Sequence, residues 1–359
     1  MITLQLMTLN FEKLSEIAQF ESLQITRSFL GTGCCGLTLH PDAKGAAAII
    51  PGALLLAEGC KAFLVEDVQM LSRETLSVKG CMLKGLAKRR VCVPPLAAGA
   101  REYQDFGWDR FTGSAEAAYL HYAQGNLIAP EDASRAIPNL IAADSQNRGE
   151  VLPWQARFDR LDVLFQAIGE RTGLGWDIVP DLAQQRLVFT AWQGINRTAG
   201  DALCLISEQN GNAADVQYRQ LLSGSATTAY VGGAGEDENR FILCGGGDAQ
   251  GIGRRELWAD AGSIQDPGQL ALYAQNRLLD TGAKTTVTAT LIDSGACRYE
   301  RDYDVGDTVI IAGRFGSAAV RIAEITETYE NGARTLAANF GDAPVTVNTL
   351  IKQLRQTPR

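Results

Sequence analysis

The sequence predicts a mainly β protein with an α+β insert. Three observations carry this. Short apolar runs bounded by Gly, Pro and Ser fill both ends of the chain, helical periodicity is concentrated in the middle, and an Asn-Gly hairpin signal lies near the C-terminal end. Four segments follow: residues 1–93 as a first β-barrel, 94–213 as the α+β insert, 214–342 as a second β-barrel region with one helix over 266–282, and 343–359 as a C-terminal helix and tail.

In the first segment, "LQITRSF", "CCGLTLH", "GALLLAEG", "KAFLVEDVQML" and "ETLSVKGCML" are strand candidates separated by turn residues. "VCVPPLAAG" then reads as a linker, because Pro94-Pro95 forbids helix and interrupts ladder bonding.

The insert changes period. "GSAEAAYLHYAQGNLI" predicts a helix capped by Ser114. In "FDRLDVLFQAIGERTGLG", Leu161, Leu164, Phe165 and Ile168 follow the i, i+3, i+4, i+7 rule, and Gly173 is placed for a C-terminal cap. "GWDIVP" and "QRLVFTAW" predict two strands. "TAGDALCLISEQNG" predicts a further helix from Thr198 to Gly211.

Strand signals return in "VQYRQLL", "TTAYVGG", "RFILCG" and "RRELWAD". "DPGQLALYAQNRLLDTG" is a helix with Asp266 as N-cap, Pro267 in the first turn and Gly282 beyond its end. "KTTVTATLID" resumes strand. In "YDVGDTVIIAGRF", Gly306 supplies a permissive backbone and Asp307 a carboxylate for nearby amides, just before the strand "TVIIA". Asn331-Gly332 predicts a two-residue hairpin between "AAVRIAEITETY" and "RTLAANF". The apolar parity changes between Ile322 and Ile325, which predicts a bulge near Ala323-Glu324. "NTLIKQLRQ" predicts a short closing helix.

An offset of 257 residues lays "GCKAFLVEDV" over "GSAAVRIAEI": Gly59 meets Gly316, Val65 meets Ile322, Asp67 meets Glu324 and Val68 meets Ile325. Two related β units, one at each end, are the expectation.

Chemistry is harder to find. The formal charge is −8, from 33 basic and 41 acidic residues, which opposes nucleic-acid binding. "KGLAKRR" is the densest basic run and reads as a solvated helix end or an interface. Eight cysteines show no C-x-x-C spacing and read as free thiols. His40 and His121 form no H-E-x-x-H pair, there is no G-x-S-x-G elbow, and Asp159 and Asp162 read as ordinary helix N-terminal acids. The glycine-rich stretch 231–255 lacks both phosphate-binding spacings, and Glu236, Asp237 and Glu238 would repel a phosphate. No catalytic residue, cofactor or metal is therefore expected; the alternative is a soluble enzyme or ligand-binding protein using residues 231–255. No membrane segment and no secretory signal are read, so synthesis in the cytoplasm is expected.

The succession "AYVGGAGEDENR", "GIGRRELWADA", a helix, "YDVGDTVII" and "RIAEITETYENG" ending at "NFG", together with "SLQITRSFLGTGCCGLTL" and "VKGCMLKGLAKRRV", resembles the siphophage tail proteins of the ReqiPepy type, which are tail-tip or baseplate hub proteins. The resemblance implies two tube-like β-barrel domains with small α/β domains attached. It implies a homotrimeric ring at the virion tail tip, made in the host bacterium. Its partners would be the distal tail protein ring, the tape-measure protein and tip or receptor-binding proteins, with DNA passing through the lumen without specific binding. It also implies that Arg359, soon after the second barrel, leaves no room for a hydrolase or receptor-binding extension. Gly59, Asp67, Gly306, Asp307, Gly316, Glu324, Asn331 and Gly332 are expected to act structurally.

Overall fold

The computed structural model describes residues 2–57, 61–95, 107–262, 264–293, 297–314 and 316–341. The chain divides into two compact units, Met1–Val216 with Thr288–Phe340, and Gln217–Val287 with Gly341–Arg359. In chain order the elements are β1 (Leu4–Met7), β2 (Lys13–Ile17), β3 (Ser22–Ser28), β4 (Cys34–Leu39), β5 (Leu54–Leu56), β6 (Ala62–Met70), β7 (Leu76–Met82), β8 (Asp109–Ser114), α1 (Ala115–Ala123), β9 (Leu140–Ala142), β10 (Val151–Ala156), α2 (Leu161–Thr172), β11 (Gly175–Asp181), β12 (Arg186–Trp192), β13 (Leu205–Ser207) and β14 (Ala213–Leu221). They continue with β15 (Thr228–Gly232), β16 (Ile242–Gly246), β17 (Glu256–Asp260), α3 (Pro267–Asp280), β18 (Lys284–Leu291), β19 (Thr308–Gly313), β20 (Gly316–Glu330) and β21 (Ala333–Gly341).

The largest sheet runs β14-β18-β21-β20-β3-β4-β7-β6-β5-β1-β2, with β19 on β20 and β13 on β19. The fold is thus mainly β, as predicted. Among the described residues the strand pairing does not close on itself, so the tube-like barrels expected from the resemblance are not found as closed rings.

One order occurs twice within this sheet. β3-β4-β7-β6-β5 is matched by β14-β18-β21-β20-β19, and β20 joins β3 in antiparallel register from Glu324↔Ser28 to Glu330↔Ser22. Each copy carries a bulge. β6 skips a residue against β7 between Val65 and Asp67, and β20 skips one against β21 between Ile322 and Glu324. The 257-residue offset relates these two places residue for residue.

The apolar runs of the N-terminal part have a physical explanation. Phe63, Val65 and Leu55 point into a core shared with Leu4, Leu23, Ile25, Leu37 and Val78. Their neighbours Ala62, Leu64, Leu54 and Leu56 point into a second core, shared with Tyr119, Phe165, Trp176 and Phe189. β5 and part of β6 are covered on both faces, so their sequences are continuously apolar and do not alternate. Each fully buried leucine contributes about 1.5–3 kcal/mol by leaving water.

The helices of the middle segment start and stop as their caps dictate. Ser114 Oγ accepts from the Ala117 amide at 3.2 Å, and Gly173 ends α2 with φ +71°. In α3 the Asp266 side chain accepts from the Gln269 amide at 2.7 Å. One expectation fails and another holds only in part. The helix predicted from Thr198 to Gly211 is a short 3-10 turn, Gly200–Ala202, followed by β13. Leu205–Ser207 pairs in parallel with Ile310–Ala312, and Asn212 bonds the Ser207 amide and the Leu205 carbonyl, so tertiary pairing overrides local helix preference. "KGLAKRR" is a solvated helix end only in part: Lys88 and Arg89 are exposed in the last turn of a 3-10 helix, Leu83–Arg89, but Lys84 is buried, donates to the carbonyls of Ser28 and Phe29, and lies 4.8 Å from the centre of the Trp176 ring. Within "VCVPPLAAG", Cys92 exchanges backbone bonds with Phe158 and Asp159, and residues 96–99 lie outside the described residues. Gly59 and "NTLIKQLRQ" lie outside the described residues.

In the second unit, β16-β15-β17 form a sheet whose one face packs on α3 through Ala229, Val231, Ala259, Leu270 and Ala274.

Candidate functional site

The turn before β19 is a hub of contacts. Gly306 has φ +92°, and a Cβ there would lie 2.4 Å from a Phe29 ring atom and 2.7 Å from a Trp192 ring atom. Only glycine meets both demands. Phe29 and Trp192 themselves meet edge to face at 4.9 Å. Asp307 is buried; its Oδ1 accepts from the Ile195 amide at 2.7 Å, its Oδ2 accepts from the Asp304 amide at 3.1 Å, and it pairs with Arg197. Two neighbouring backbone groups join this turn to β20: the Gly306 amide donates to Ile322, and the Ile322 amide donates to Asp307, both at 2.8 Å. The motif thus binds the end of β12, the end of β3 and the start of the final hairpin.

The other predicted positions are scattered. Asn331 and Gly332 form the hairpin tip with φ +52° and +77°. Gly316 opens β20 with φ +97° in open space. Asp67 is exposed beyond the β6 bulge, and Glu324 accepts from Asn339 Nδ2 at 3.1 Å beyond the β20 bulge.

Sequence reasoning missed the largest polar cluster. Where β20 meets β3, Glu327 is fully buried and Lys61 is 6% exposed, and the two form an ion pair. Lys61 also reaches Glu300 at 2.7 Å. Glu327 further accepts from Tyr329 at 2.8 Å and from Arg334 at 2.9 Å. Arg27 grips Asp304 with two bonds, at 2.7 and 3.1 Å, and donates to the Tyr299 hydroxyl at 2.8 Å. Lys61 and Arg334 each stand 5.4 Å from the centre of the Tyr299 ring. Burial alone would raise the Glu327 pKa, but Lys61, Tyr329 and Arg334 hold it below the usual carboxylate value. Every charge has a counter-charge, so the cluster is a structural clasp. Its members come from positions near 27, 61, 300 and 330, and no local spacing could reveal them.

His121 Nε2 lies 2.8 Å from Asp109 Oδ1 and stacks on Phe111, beside an open depression of about 560 Å³ lined by Leu120, Gln124, Ala142 and Asn147. The nearby Cys92 sulfur faces Asp109 at 3.9 Å, not the imidazole. Burial, with Asp109 and Asp159 close by, pushes the Cys92 thiol up to about 12, the opposite of an activated nucleophile. The glycine-rich stretch becomes β15, β16 and the turns around them, and its Arg240 donates to the Gly232 and Gly233 carbonyls. No α-helix begins at these glycines; the stretch holds only two three-residue 3-10 turns, Asp237–Asn239 and Gly251–Gly253, too short to present a helix N-terminus to a phosphate. Among the described residues no group of His, Cys, Asp and Glu is placed to hold a metal ion, and no helix is long and apolar enough to cross a membrane.

Residues 3–342 match the Siphovirus ReqiPepy6 Gp37-like protein family. The chain belongs to that family. No curated protein sequence matches it. Three solved structures share the fold of this Gp37-like chain. The 43 kDa tail protein of prophage MuSo2 from Shewanella oneidensis is 13% identical, with a TM-score of 0.59 over 94% of this chain and 97% of that one. The tail protein from Neisseria meningitidis MC58 is 12% identical, with a TM-score of 0.56 over 95% and 96%. The prophage tail protein gp18 from Listeria monocytogenes EGD-e is 10% identical, with a TM-score of 0.54 over 99% and 98%. The clasp and the Asp307 turn both lie inside the span that defines the Gp37-like match.

Proposed function

We propose that the chain is a structural tail protein of a siphophage or prophage, the baseplate or tail-tip hub, three copies of which form a ring that joins the tail tube to the tip and lines the DNA conduit. The observation that carries this reading is the doubled strand order in one chain, β3-β4-β7-β6-β5 and β14-β18-β21-β20-β19. A chain with two like units gives a threefold ring six like positions, which suits an adaptor between a sixfold tube and a threefold tip. Likeness in fold to tail proteins across nearly the whole chain supports the tail assignment.

On this reading the partners are further copies of the chain, the distal tail protein ring, the tape-measure protein and tip or receptor-binding proteins. The role is mechanical and not catalytic. The net charge of −8 suits a conduit, since like sign keeps DNA from adhering during ejection. Electron cryomicroscopy of assembled tails tests it. Three copies per tip, with β6–β7 and β20–β21 hairpins alternating around the axis, are expected. One copy per tip, or a lumen lined mainly by Lys and Arg, would overturn it.

A further inference from the structure

Two buried cysteines, distant in the chain, meet in the first unit. Cys204 and Cys297 are 1% and 5% exposed, and their thiols share a hydrogen bond. Each is held by the backbone around it. The Cys204 amide donates to the Arg197 carbonyl at 2.9 Å, and the Cys204 carbonyl accepts from the Ile310 amide at 3.0 Å, which fixes the residue just before β13. Cys297 precedes a tight loop. There the Arg298 amide donates to Asp302 Oδ2 and the Arg298 carbonyl accepts from the Asp302 amide, both at 2.8 Å, and the Tyr299 amide donates to Asp293 Oδ1 at 3.1 Å. Buried Tyr303 lies near both thiols.

The other described cysteines are placed differently. Cys35 and Cys81 lie on paired strands but on opposite faces: Cys35 packs with Leu23 and Val78, Cys81 with Tyr119 and Phe165. Cys92 turns to Asp109 and Asn126, and Cys34 and Cys244 are exposed. Two thiols already in contact can become a disulfide by rotation of their side chains, with the backbone bonds on either side left in place.

We propose that Cys204 and Cys297 are a disulfide-forming pair, oxidised by a low-molecular-weight disulfide such as glutathione disulfide. This does not depend on the hub reading. Cys297, the more exposed of the two, loses its proton to water and attacks one glutathione sulfur. The sulfur–sulfur bond of glutathione disulfide breaks, and one glutathione leaves and takes up a proton. Cys204 then loses its proton and attacks the Cys297 sulfur of the mixed disulfide, and the second glutathione leaves in the same way. Two protein thiols are oxidised and one glutathione disulfide is reduced to two thiols. Burial, with Cys297 close by, pushes the Cys204 thiol up, so closure is slow. The bond encloses residues 205–296, and with them all of Gln217–Val287 in the second unit. A disulfide across so long a loop stabilises by restricting the unfolded chain.

The full chain, purified reduced, is incubated folded with glutathione disulfide until its peptide map is constant. Free thiols are then blocked with N-ethylmaleimide in urea, and unreduced digests are read by mass spectrometry. The peptide linking Cys204 to Cys297 should be at least about tenfold more abundant than any other cysteine pair, because its sulfurs start in contact. Dithiothreitol should reverse it, and oxidation should raise the urea midpoint of the wild type. In Cys297→Ala, the same oxidation should leave the midpoint where it is in the reduced variant. Recovery of Cys204 and Cys297 as blocked thiols or as glutathione adducts would overturn the proposal, as would an equal rise of the midpoint in Cys297→Ala.

Discussion

Lys61 and Glu327 lie 266 positions apart in the chain and form a buried ion pair where the two halves of the large sheet meet. Removing one partner leaves the other buried with only its remaining counter-charge, Glu300 for Lys61 and Arg334 for Glu327, which costs up to about 3–5 kcal/mol. Lys61→Met and Glu327→Gln should each destabilise the fold on that scale, and the double variant should lose less than the sum. Urea unfolding of the three variants measures it; strict additivity would remove the clasp from the account.

The pH dependence follows from the depressed Glu327 pKa. A carboxylate in the unfolded chain titrates near about 4.3. Because the folded value is lower, the Glu327 contribution is complete above that range and is lost as pH falls through the folded value. Stability should decline from pH 5 to pH 3 more steeply in the wild type than in Glu327→Gln. Parallel declines in the urea midpoint would contradict this assignment.

Gly306 faces both a left-handed backbone and two aromatic rings. Gly306→Ala should cost about 3 kcal/mol or more, from strain and overpacking together. Thermal melting checks it, with near-ultraviolet circular dichroism reporting the Trp192 environment.

At Gly332 space is free and only the φ of +77° constrains the residue. Gly332→Val should therefore cost less, about 1–3 kcal/mol. An unchanged melting temperature would mean that the tip adopts another turn.

Local signals in the sequence were readable where local physics decides. Ser114, Gly173 and Asp266 mark helix ends through bonds to residues a few places away. The change of parity between Ile322 and Ile325 marks a bulge within its own strand. β1, β2 and β9 are too short to show a period, and β13 takes its conformation from a strand about a hundred residues downstream. The clasp was illegible for the same reason: Arg27, Lys61, Tyr299 and Glu327 meet only after the sheet has assembled.

β20 spans fifteen residues and serves three neighbours, β19 along its first part and β3 and β21 along the rest. Pulling the two sheet halves apart along its axis would load the β20–β3 ladder in shear, with the bonds from Glu324↔Ser28 to Glu330↔Ser22 resisting together instead of opening one by one. The bulge beside Ile322 works like a ratchet tooth, because a slip by one residue would turn Ile325 and Glu327 out of their pockets and expose the wrong face. A protein built on such a strand should yield to traction abruptly and at high force, a property measurable on single molecules.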